Sequence, residues 1–396
     1  MQVISTQGIE SKDYEQLLVR VHEIGRTALA PAAADVDAKA RFPEEAITAL
    51  KEAKLLSGYV PAEYGGMGLS LAQMARVCET LGQYCGNAAM VFAMHQVIVA
   101  CIVHHCASSE FFQNYLRRVA KEQRLIASAT TEIGTGGDLR SSICAVEVNG
   151  DRFTLAKQAP VISYGAAADD LMITCRRTAE SPASDQVQVL ALKGEYQLAH
   201  TGGWDTMGFR GTCSDGYNVT SNGAAQQIQP EPFDVILART MHPCAHILWG
   251  SLWVGIAIDA VNRARSFVRA QARKNPSATQ VSALRLAEVD TVLQELRHNM
   301  QACVGLYQEM LRSPQPEAFN NLGFSIRINN LKLACSERLV EIVSRAMLIC
   351  GIAGYRNDSP YSLARHLRDA YGAALMVNND RIRGHNATLL TIHKEI

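Results

Sequence analysis

A loop rich in glycine and threonine, ATTEIGTGGD at residues 129–138, is the first segment whose residue types suit binding chemistry. Its glycines expose backbone N–H groups and its threonines add hydroxyls, so it can surround a planar heterocycle or a phosphate. It is not a dinucleotide-binding fingerprint, because the G-x-G-x-x-G spacing and the strand–turn–helix context are missing. Taken alone, the loop is better explained as an ordinary glycine-rich turn.

Three further segments combine glycines with charged or hydroxyl residues: YVPAEYGGMGLS, MGFRGTCS and ARHLRDAYG, which begin at Tyr59, Met207 and Ala364. Taken one by one, loops between helices and a solvated helix face explain them as well as binding does. The histidines and cysteines at residues 101–106 and 242–246 resemble metal ligands. Helical spacing turns the first group to different faces, and a helix start explains the second, so we predict no metal site.

The periodicity of apolar residues changes twice along the chain. Residues 1–125 have helical spacing, and residues 126–235 are richer in glycine, threonine, serine and aspartate, with short β-like runs. From residue 236 the helical spacing returns and persists, and Gly351 is expected to end one of the long helices. The sequence therefore predicts an α+β protein with an all-α unit at 1–125, a β unit at 126–235 and a helical bundle at 236–396.

The composition excludes several classes of function. The 396 residues are 48% hydrophobic, and 38 basic residues balance 38 acidic ones, which argues against nucleic acid as the main partner. The polar N-terminus lacks the features of a secretory signal, and no unbroken apolar run reaches the roughly 20 residues of a membrane span. Because the 11 cysteines are scattered and odd in number, we expect free thiols in a cytoplasmic protein.

Taken in order, the motif segments resemble the acyl-CoA dehydrogenase family. TEIGTGGD is similar to its T-E-P-G-A-G-S-D loop, MGFRGT to its M-G-x-R-G-S/T segment, and LRDAY to its R-D-A segment. QVSALRLAEV, at residues 280–289, is similar to the family's Q-x-x-x-x-x-L-A-E-M helix. The chain is identified as a divergent member of that family. The resemblance implies an N-terminal helical domain, a central β domain, a C-terminal four-helix bundle and a homo-oligomer, either dimer or tetramer.

The resemblance also implies FAD as cofactor. The matching cofactor-binding positions are Ser128, Thr130, Thr131, Gly136, Gly137, Ile162, Ser163, Arg273, Gln280, Leu348, Gly351 and Asn379. The chain departs from the family's pattern at three of its elements. The stacking tryptophan becomes Val161, the Q-x-x-G-G segment keeps only Gly351, and the serine that touches substrate becomes Gly137. Gly137 and Val377 are the matching substrate-binding positions.

The implied reaction is α,β-dehydrogenation of an acyl thioester carried by CoA or by an acyl carrier protein, with an electron-transfer flavoprotein as candidate electron acceptor. A base removes the α-proton while the flavin takes the β-hydride. The family's catalytic glutamate falls on Val377 here, and the alternative source, residues 242–253, contains no carboxylate. Asp380 is the nearest carboxylate and our candidate catalytic residue. Three residues along a helix would turn it away from the site, and ion pairing beside Arg381 is its alternative role.

Two other functions remain open. Some proteins of this fold are monooxygenases that use reduced flavin and oxygen, for which His95 and Ser163 are candidate residues. The C-terminal histidine of that branch is not at position 377, although His366 and His385 flank it. Alternatively, the protein keeps the fold and FAD but has lost catalysis, and serves as a binding subunit.

Overall fold

A computed structural model describes residues 7–105, 107–274, 281–312, 319 and 321–393. The N-terminal part is helical. Its α-helices are α1 (Ser11–Ile24), α2 (Ala30–Lys39), α3 (Glu44–Glu52), α4 (Leu71–Gly82), α5 (Gly86–His105) and α6 (Glu110–Glu122), and a π-helical turn, Gly25–Leu29, joins the first two. Helix α4 begins at a capping box in which Ser70 and Gln73 each bond the other's backbone N–H. Helix α5 is apolar and buried on nearly all sides, as expected of a core helix.

The middle of the chain forms two small sheets. The strands are β1 (Ile126–Ala129), β2 (Val146–Asn149), β3 (Arg152–Ala159), β4 (Asp170–Arg176), β5 (Gln186–Ala191), β6 (Tyr196–Gly202) and β7 (Gly216–Ala224). One sheet has the order β1-β4-β5, with β1 parallel to β4, and the other is antiparallel with the order β2-β3-β7-β6. Strand β1 is an edge strand of the first sheet and packs against α5, so the loop that follows it lies at the boundary with the helices.

Helices return after the strands. They are α7 (Phe233–Ile236), α8 (His242–Lys274), α9 (Val281–Arg312), α10 (Leu322–Cys350), α11 (Ile352–Tyr355), α12 (Ala364–Leu375) and α13 (Asn379–Ile392). A π-helical turn, Leu237–Met241, precedes α8. Helix α8 is the axis of the core, and packs against α4, α5, α9 and α10. As expected, Gly351 is the C-cap of α10, with a φ of 58°.

Helices α4 and α8 cross in backbone contact. A Cβ atom on Gly82 would lie 2.3 Å from the carbonyl oxygen of Leu252, and one on Gly255 would lie 2.1 Å from that of Glu79. Only glycine fits at both positions. This crossing fixes the first turns of α8 relative to the N-terminal helices, and those turns carry part of the candidate site.

The predicted fold class is confirmed, with helices, then two sheets, then helices. Two helical stretches, Gly86–His105 and Phe233–Lys274, are long and apolar enough to cross a membrane by length and composition. Their most apolar windows are 94% and 83% buried inside the protein, however, as is usual for core helices of a soluble fold. The ten cysteines that the structure describes are free thiols, and nine of them are buried.

Candidate active site

A cavity of about 520 Å³ lies where the N-terminal helices, the first sheet and helices α8 and α12 meet. Its volume is in the range typical of small-molecule sites. One wall comes from the end of β1 and from the segments that follow β1 and β3: Ser128, Thr130, Thr131, Leu139, Val161 and Ser163. Helix α5 contributes Met90, Met94, Val97 and Ile98. The remaining walls come from residues 204–214, the first turns of α8 and the end of α12.

The wall formed by these segments of β1 and β3 carries a line of hydroxyl groups. The Oγ atoms of Ser128 and Thr130 are 2.7 Å apart, and the Thr131 hydroxyl donates to the carbonyl oxygen of Val161 at 3.3 Å. Ser163 continues the line with a 2.8 Å bond to Ser214. These hydroxyls both donate and accept, so this wall can hydrogen-bond the nitrogens and carbonyl oxygens of a heterocycle.

Two buried charged residues hold this wall in place. The Glu132 carboxylate accepts hydrogen bonds from the Ser142 hydroxyl at 2.6 Å and the backbone N–H of Cys144 at 2.6 Å. The Lys157 ammonium donates to the carbonyl oxygen of Thr130 at 3.1 Å and lies 3.7 Å from Glu132. Burial lowers the pKa of Lys157, and its neighbouring acceptors oppose that shift. The glutamate of the TEIGTGGD loop is therefore a structural anchor.

Gly136 and Gly137 of the loop face α13, and none of the loop's three glycines lines the cavity. Gly136 and Gly137 have φ values of 60° and 78°, which favour glycine, and their carbonyl oxygens accept hydrogen bonds from Arg381. A Cβ on Gly137 would lie 3.1 Å from the Arg381 guanidinium. Ile162 is fully buried behind the wall, between its lining neighbours Val161 and Ser163.

The MGFRGT and LRDAY segments meet at the opposite side. The backbone N–H of Phe209 donates to Asp369 Oδ1 at 2.7 Å, and a Cβ on Gly208 would lie 2.1 Å from the Arg368 carbonyl oxygen. Burial raises the pKa of Asp369 to about 6. Arg368, which lines the cavity, is ion-paired with the buried Asp37. Among the described residues that line the cavity there is no carboxylate.

Val377 lines the cavity, but it is not on a helix. Helix α12 ends at Leu375, and the chain then turns through Val377 and Asn378 with φ values of 56° and 45° before α13 begins. The helical phase assumed for Asp380 is therefore wrong. Asp380 lies in the first turn of α13, where its side chain is 90% exposed and pairs with Arg383 at 3.1 Å. The structure does not bring it to the cavity.

The other expected cofactor positions are spread over the bundle. Arg273 is exposed near the end of α8, Leu348 is 70% exposed and Gly351 is exposed. The Asn379 side chain is buried and accepts a 2.6 Å hydrogen bond from Lys332. None of the four lines the cavity, and Gln280 lies outside the described residues.

Of the two candidate oxygen-handling residues, Ser163 lines the cavity and His95 does not. His95 is fully buried and both of its ring nitrogens are engaged with backbone atoms. Nε2 donates to the Leu56 carbonyl oxygen at 2.8 Å, and Nδ1 accepts from the Ile126 N–H at 3.1 Å. Burial lowers its pKa to about 4, so the ring is neutral at pH 7. Its role is to join α5 to β1.

Helix α8 brings to the cavity His242 and His246, which the sequence pattern explains by a helix start, and also Trp249, which the sequence pattern does not single out. His242, Ala245, His246 and Trp249 recur every three or four residues, and all four line the cavity. The rings of His242 and His246 are 4.3 Å apart. The buried Nε1 of Trp249 has no hydrogen-bond partner among the described residues. The i, i+4, i+7 spacing was a signal in the sequence, but the sequence does not show which face borders a cavity.

Comparisons with known proteins agree with the fold and the family. Residues 11–123 match the family model of the acyl-CoA dehydrogenase N-terminal domain, and residues 233–376 match that of the C-terminal domain. The chain is 28% identical over 205 residues to cyclohex-1-ene-1-carbonyl-CoA dehydrogenase of Geobacter metallireducens, covering 52% of this chain and 54% of that protein. It is 22% identical over 363 residues to the short-chain specific acyl-CoA dehydrogenase of Clostridium acetobutylicum, covering 90% and 92%.

Among solved structures, the fold is similar to that of FMN-bound TdsC from Paenibacillus sp. A11-2, a dibenzothiophene monooxygenase. The TM-score is 0.83 at 16% identity, and the match covers 96% of this chain and 98% of TdsC. Dehydrogenases and a monooxygenase thus share this architecture. The fold does not determine which of the two reactions a protein catalyses, and the residues around the cavity do.

Proposed function

Because the chain belongs to the acyl-CoA dehydrogenase family, we propose that it is a flavin-dependent oxidoreductase that removes the α- and β-hydrogens of an acyl thioester. The observation that carries the proposal is the cavity, in which a hydroxyl-bearing wall built from two motif segments faces a largely apolar wall. A heterocycle and an acyl chain need those two surfaces side by side.

The donor set of the hydroxyl wall fits a flavin. Thr131, Ser163 and the Ser128–Thr130 pair offer donors and acceptors along one side, while Val161 offers an apolar surface in place of the family's tryptophan. When bound there, flavin supplies the hydride acceptor of the reaction. Ile162 backs this wall from the core, and Lys157 and Glu132 keep its backbone in position.

We propose FAD as the flavin, in line with the family. Arg273 and Gln280 match positions that reach the pyrophosphate and ribose of FAD, and Leu348, Gly351 and Asn379 are further cofactor-binding positions implied by the resemblance. Arg273, Leu348 and Gly351 are exposed at the surface of the bundle, so in this proposal they act across an interface with a second copy of the chain, in a dimer or tetramer. The exposed Ile352 and Tyr355 beside them supply apolar surface for such a contact.

The substrate proposed for the apolar wall is an acyl chain. Met90, Met94, Val97 and Ile98 form one continuous face of α5 towards the cavity, and methionine adapts well to acyl groups of different shape. CoA or an acyl carrier protein presents the thioester, and an electron-transfer flavoprotein is the proposed electron acceptor in the cytoplasm.

The experiment is to purify the protein, identify the flavin released on denaturation, and mix the holoprotein anaerobically with acyl-CoAs. We expect a yellow protein that releases FAD and is bleached by at least one thioester from a panel of butyryl-CoA to decanoyl-CoA and 3-phenylpropionyl-CoA, all of which carry both α- and β-hydrogens. A colourless protein that does not bind added FAD or FMN would contradict the assignment.

A monooxygenase is the second candidate function. The observation that favours it is the absence of a carboxylate among the described residues that line the cavity, because a substrate oxygenated with reduced flavin need not lose an α-proton. Both ring nitrogens of His95 are hydrogen-bonded to backbone atoms, which argues against His95 and Ser163 as the pair of residues that handles oxygen. Incorporation of ¹⁸O from labelled oxygen into product, without anaerobic bleaching by thioesters, would select this function. Bound flavin without turnover in either assay would select the binding subunit.

A further inference from the structure

The first turns of α8 present two imidazoles and one indole to the cavity. His242, His246 and Trp249 lie on one face of the helix at steps of four and three residues. The Trp249 Nε1–H is enclosed and has no partner among the described residues. A buried indole N–H usually has an acceptor. A carbonyl oxygen of a bound ligand would supply one here.

The proton of His242 is placed by a chain of side-chain amides. Asn386 Nδ2 donates to Asn330 Oδ1 at 2.9 Å, and Asn329 Nδ2 donates to Asn386 Oδ1 at 2.7 Å. Asn329 Oδ1 is therefore an acceptor, and the 2.8 Å contact with His242 Nε2 requires a hydrogen on that nitrogen. In the neutral ring this leaves a lone pair on Nδ1 of His242, which makes no hydrogen bond to the described residues and belongs to a residue that lines the cavity.

We propose that His242 is the base that replaces the missing carboxylate, an inference that rests on the proposed thioester chemistry. The α-C–H bond of the thioester breaks, its electron pair stays on the substrate as an enolate, and the proton moves to Nδ1 of His242. The resulting imidazolium keeps its Nε2–H bond to Asn329, and that bond becomes charge-assisted. A base held by a third group in this way has the arrangement common to general-base catalysts.

The charged and titratable groups around His242 keep its ring neutral. Burial lowers its pKa to about 4, the bond to Asn329 raises it, and His385 from α13 and Arg140, which follows the glycine-rich loop, lower it further. The neutral ring is the form that accepts a proton. Because its pKa lies below neutrality, nearly all of the protein has the base in the active form at pH 7.

His246 is a weaker candidate for the same role. Its Nδ1 bond to the Ile328 carbonyl oxygen is long, at 3.3 Å, and the residue is only 1% exposed. Burial, together with His242 and Lys332, holds its pKa well below the ordinary value. A proton on His242, whose ring is 4.3 Å away, would oppose a second proton on His246. His246 therefore stays neutral throughout.

The first experiment separates proton transfer from flavin chemistry. The holoprotein, with its flavin reduced by dithionite so that it cannot take a hydride, is incubated anaerobically in D₂O with the same panel of acyl-CoAs, and exchange of the α-hydrogens is followed by NMR. We expect wild-type protein to exchange them and His242→Gln to be slower by about 10²–10⁴-fold, the usual contribution of a general base. His298→Gln, an exposed substitution on α9, is the matched control and should leave the rate unchanged.

The second experiment measures the tautomer and the pKa of His242 directly. ¹⁵N NMR of the protein should show His242 protonated on Nε2. The substitution Asn329→Asp should raise the pKa of His242, because a carboxylate favours the imidazolium. The acid limb of the pH profile of α-hydrogen exchange should then move to higher pH. An Nδ1-protonated ring, or exchange by His242→Gln at the wild-type rate, would overturn the inference. If such a variant is still bleached by a thioester, the proposed function stands and only the base is wrong. If the wild-type protein exchanges the α-hydrogens of no thioester, and no thioester bleaches its flavin, the proposed function and the inference both fail.

Discussion

Substituting Val377 with glutamate tests whether position 377 faces the α-carbon of a bound thioester. Val377 lines the cavity, and the family's catalytic glutamate falls on this position. The side chain projects from a turn with a φ of 56°, where a β-branched residue is disfavoured, so glutamate is tolerated there at least as well as valine. In apolar surroundings without another carboxylate among the described lining residues, burial would raise the pKa of the new glutamate towards neutrality.

The expected magnitude follows from what a positioned base contributes, about 10²–10⁴-fold. With His242 acting in the wild type, V377E alone adds a second base and gains less than this. In the H242Q background it should recover most of the lost rate. The assay is anaerobic stopped-flow bleaching of the bound flavin by the best acyl-CoA of the panel.

V377Q is the matched control, since it has the same shape but cannot take a proton. If H242Q/V377E and H242Q/V377Q bleach equally slowly while both bind flavin and unfold at the wild-type temperature, position 377 does not face the substrate's α-carbon. The correspondence between Val377 and the family's glutamate would then be refuted.

Three further predictions concern stability and cofactor binding. V377G should stabilise the protein by about 0.5–1 kcal/mol, as measured by urea unfolding. The substitution removes a left-handed backbone strain of about 1–2 kcal/mol, and the greater backbone entropy of glycine in the unfolded chain cancels about 0.5–1 kcal/mol of that gain. K157M should weaken flavin binding about tenfold, because the Thr130 carbonyl oxygen loses its donor, and fluorescence titration measures the Kd. Stability should fall as the pH drops from 6.5 towards 4, by up to about 1.4 kcal/mol per pH unit for each of His95 and His242, since the unfolded imidazoles bind protons that the folded ones exclude. Urea midpoints at several pH values test this, and H95Q should reduce the slope.

The order of elements could be predicted from the sequence because it depends on local periodicity. The change from helical to strand spacing is visible near residue 126, and the first strand begins at Ile126. The motif segments could be placed at one site only through resemblance, since the bond between Phe209 and Asp369 joins residues 160 positions apart. No local pattern encodes a contact at that separation.

The turn at Val377 was not predictable for a different reason. A valine with positive φ contradicts its own backbone preference, so sequence rules extend α12 through this position instead of ending it. That error placed Asp380 on the wrong element. The turn persists because Asn378 caps α13, its Oδ1 accepting from the Asp380 N–H at 2.9 Å, which stabilises the start of the next helix. Tertiary packing and this cap outweigh the local strain.

The exchange of a carboxylate for an imidazole alters the electrostatics of the proposed reaction. A glutamate base is charged before proton transfer and neutral afterwards, so the negative charge moves from protein to substrate. A neutral His242 instead creates an ion pair, imidazolium and enolate, whose separation of charge is costly in an apolar cavity. The Asn329 bond to the imidazolium, and the Trp249 N–H, which has no partner in the part of the chain that the structure describes and can donate to the enolate oxygen, offset the cost. With His242 as base, Trp249→Phe should therefore slow α-hydrogen exchange without changing the pKa of His242, whereas a purely structural tryptophan would leave the exchange rate per folded molecule unchanged.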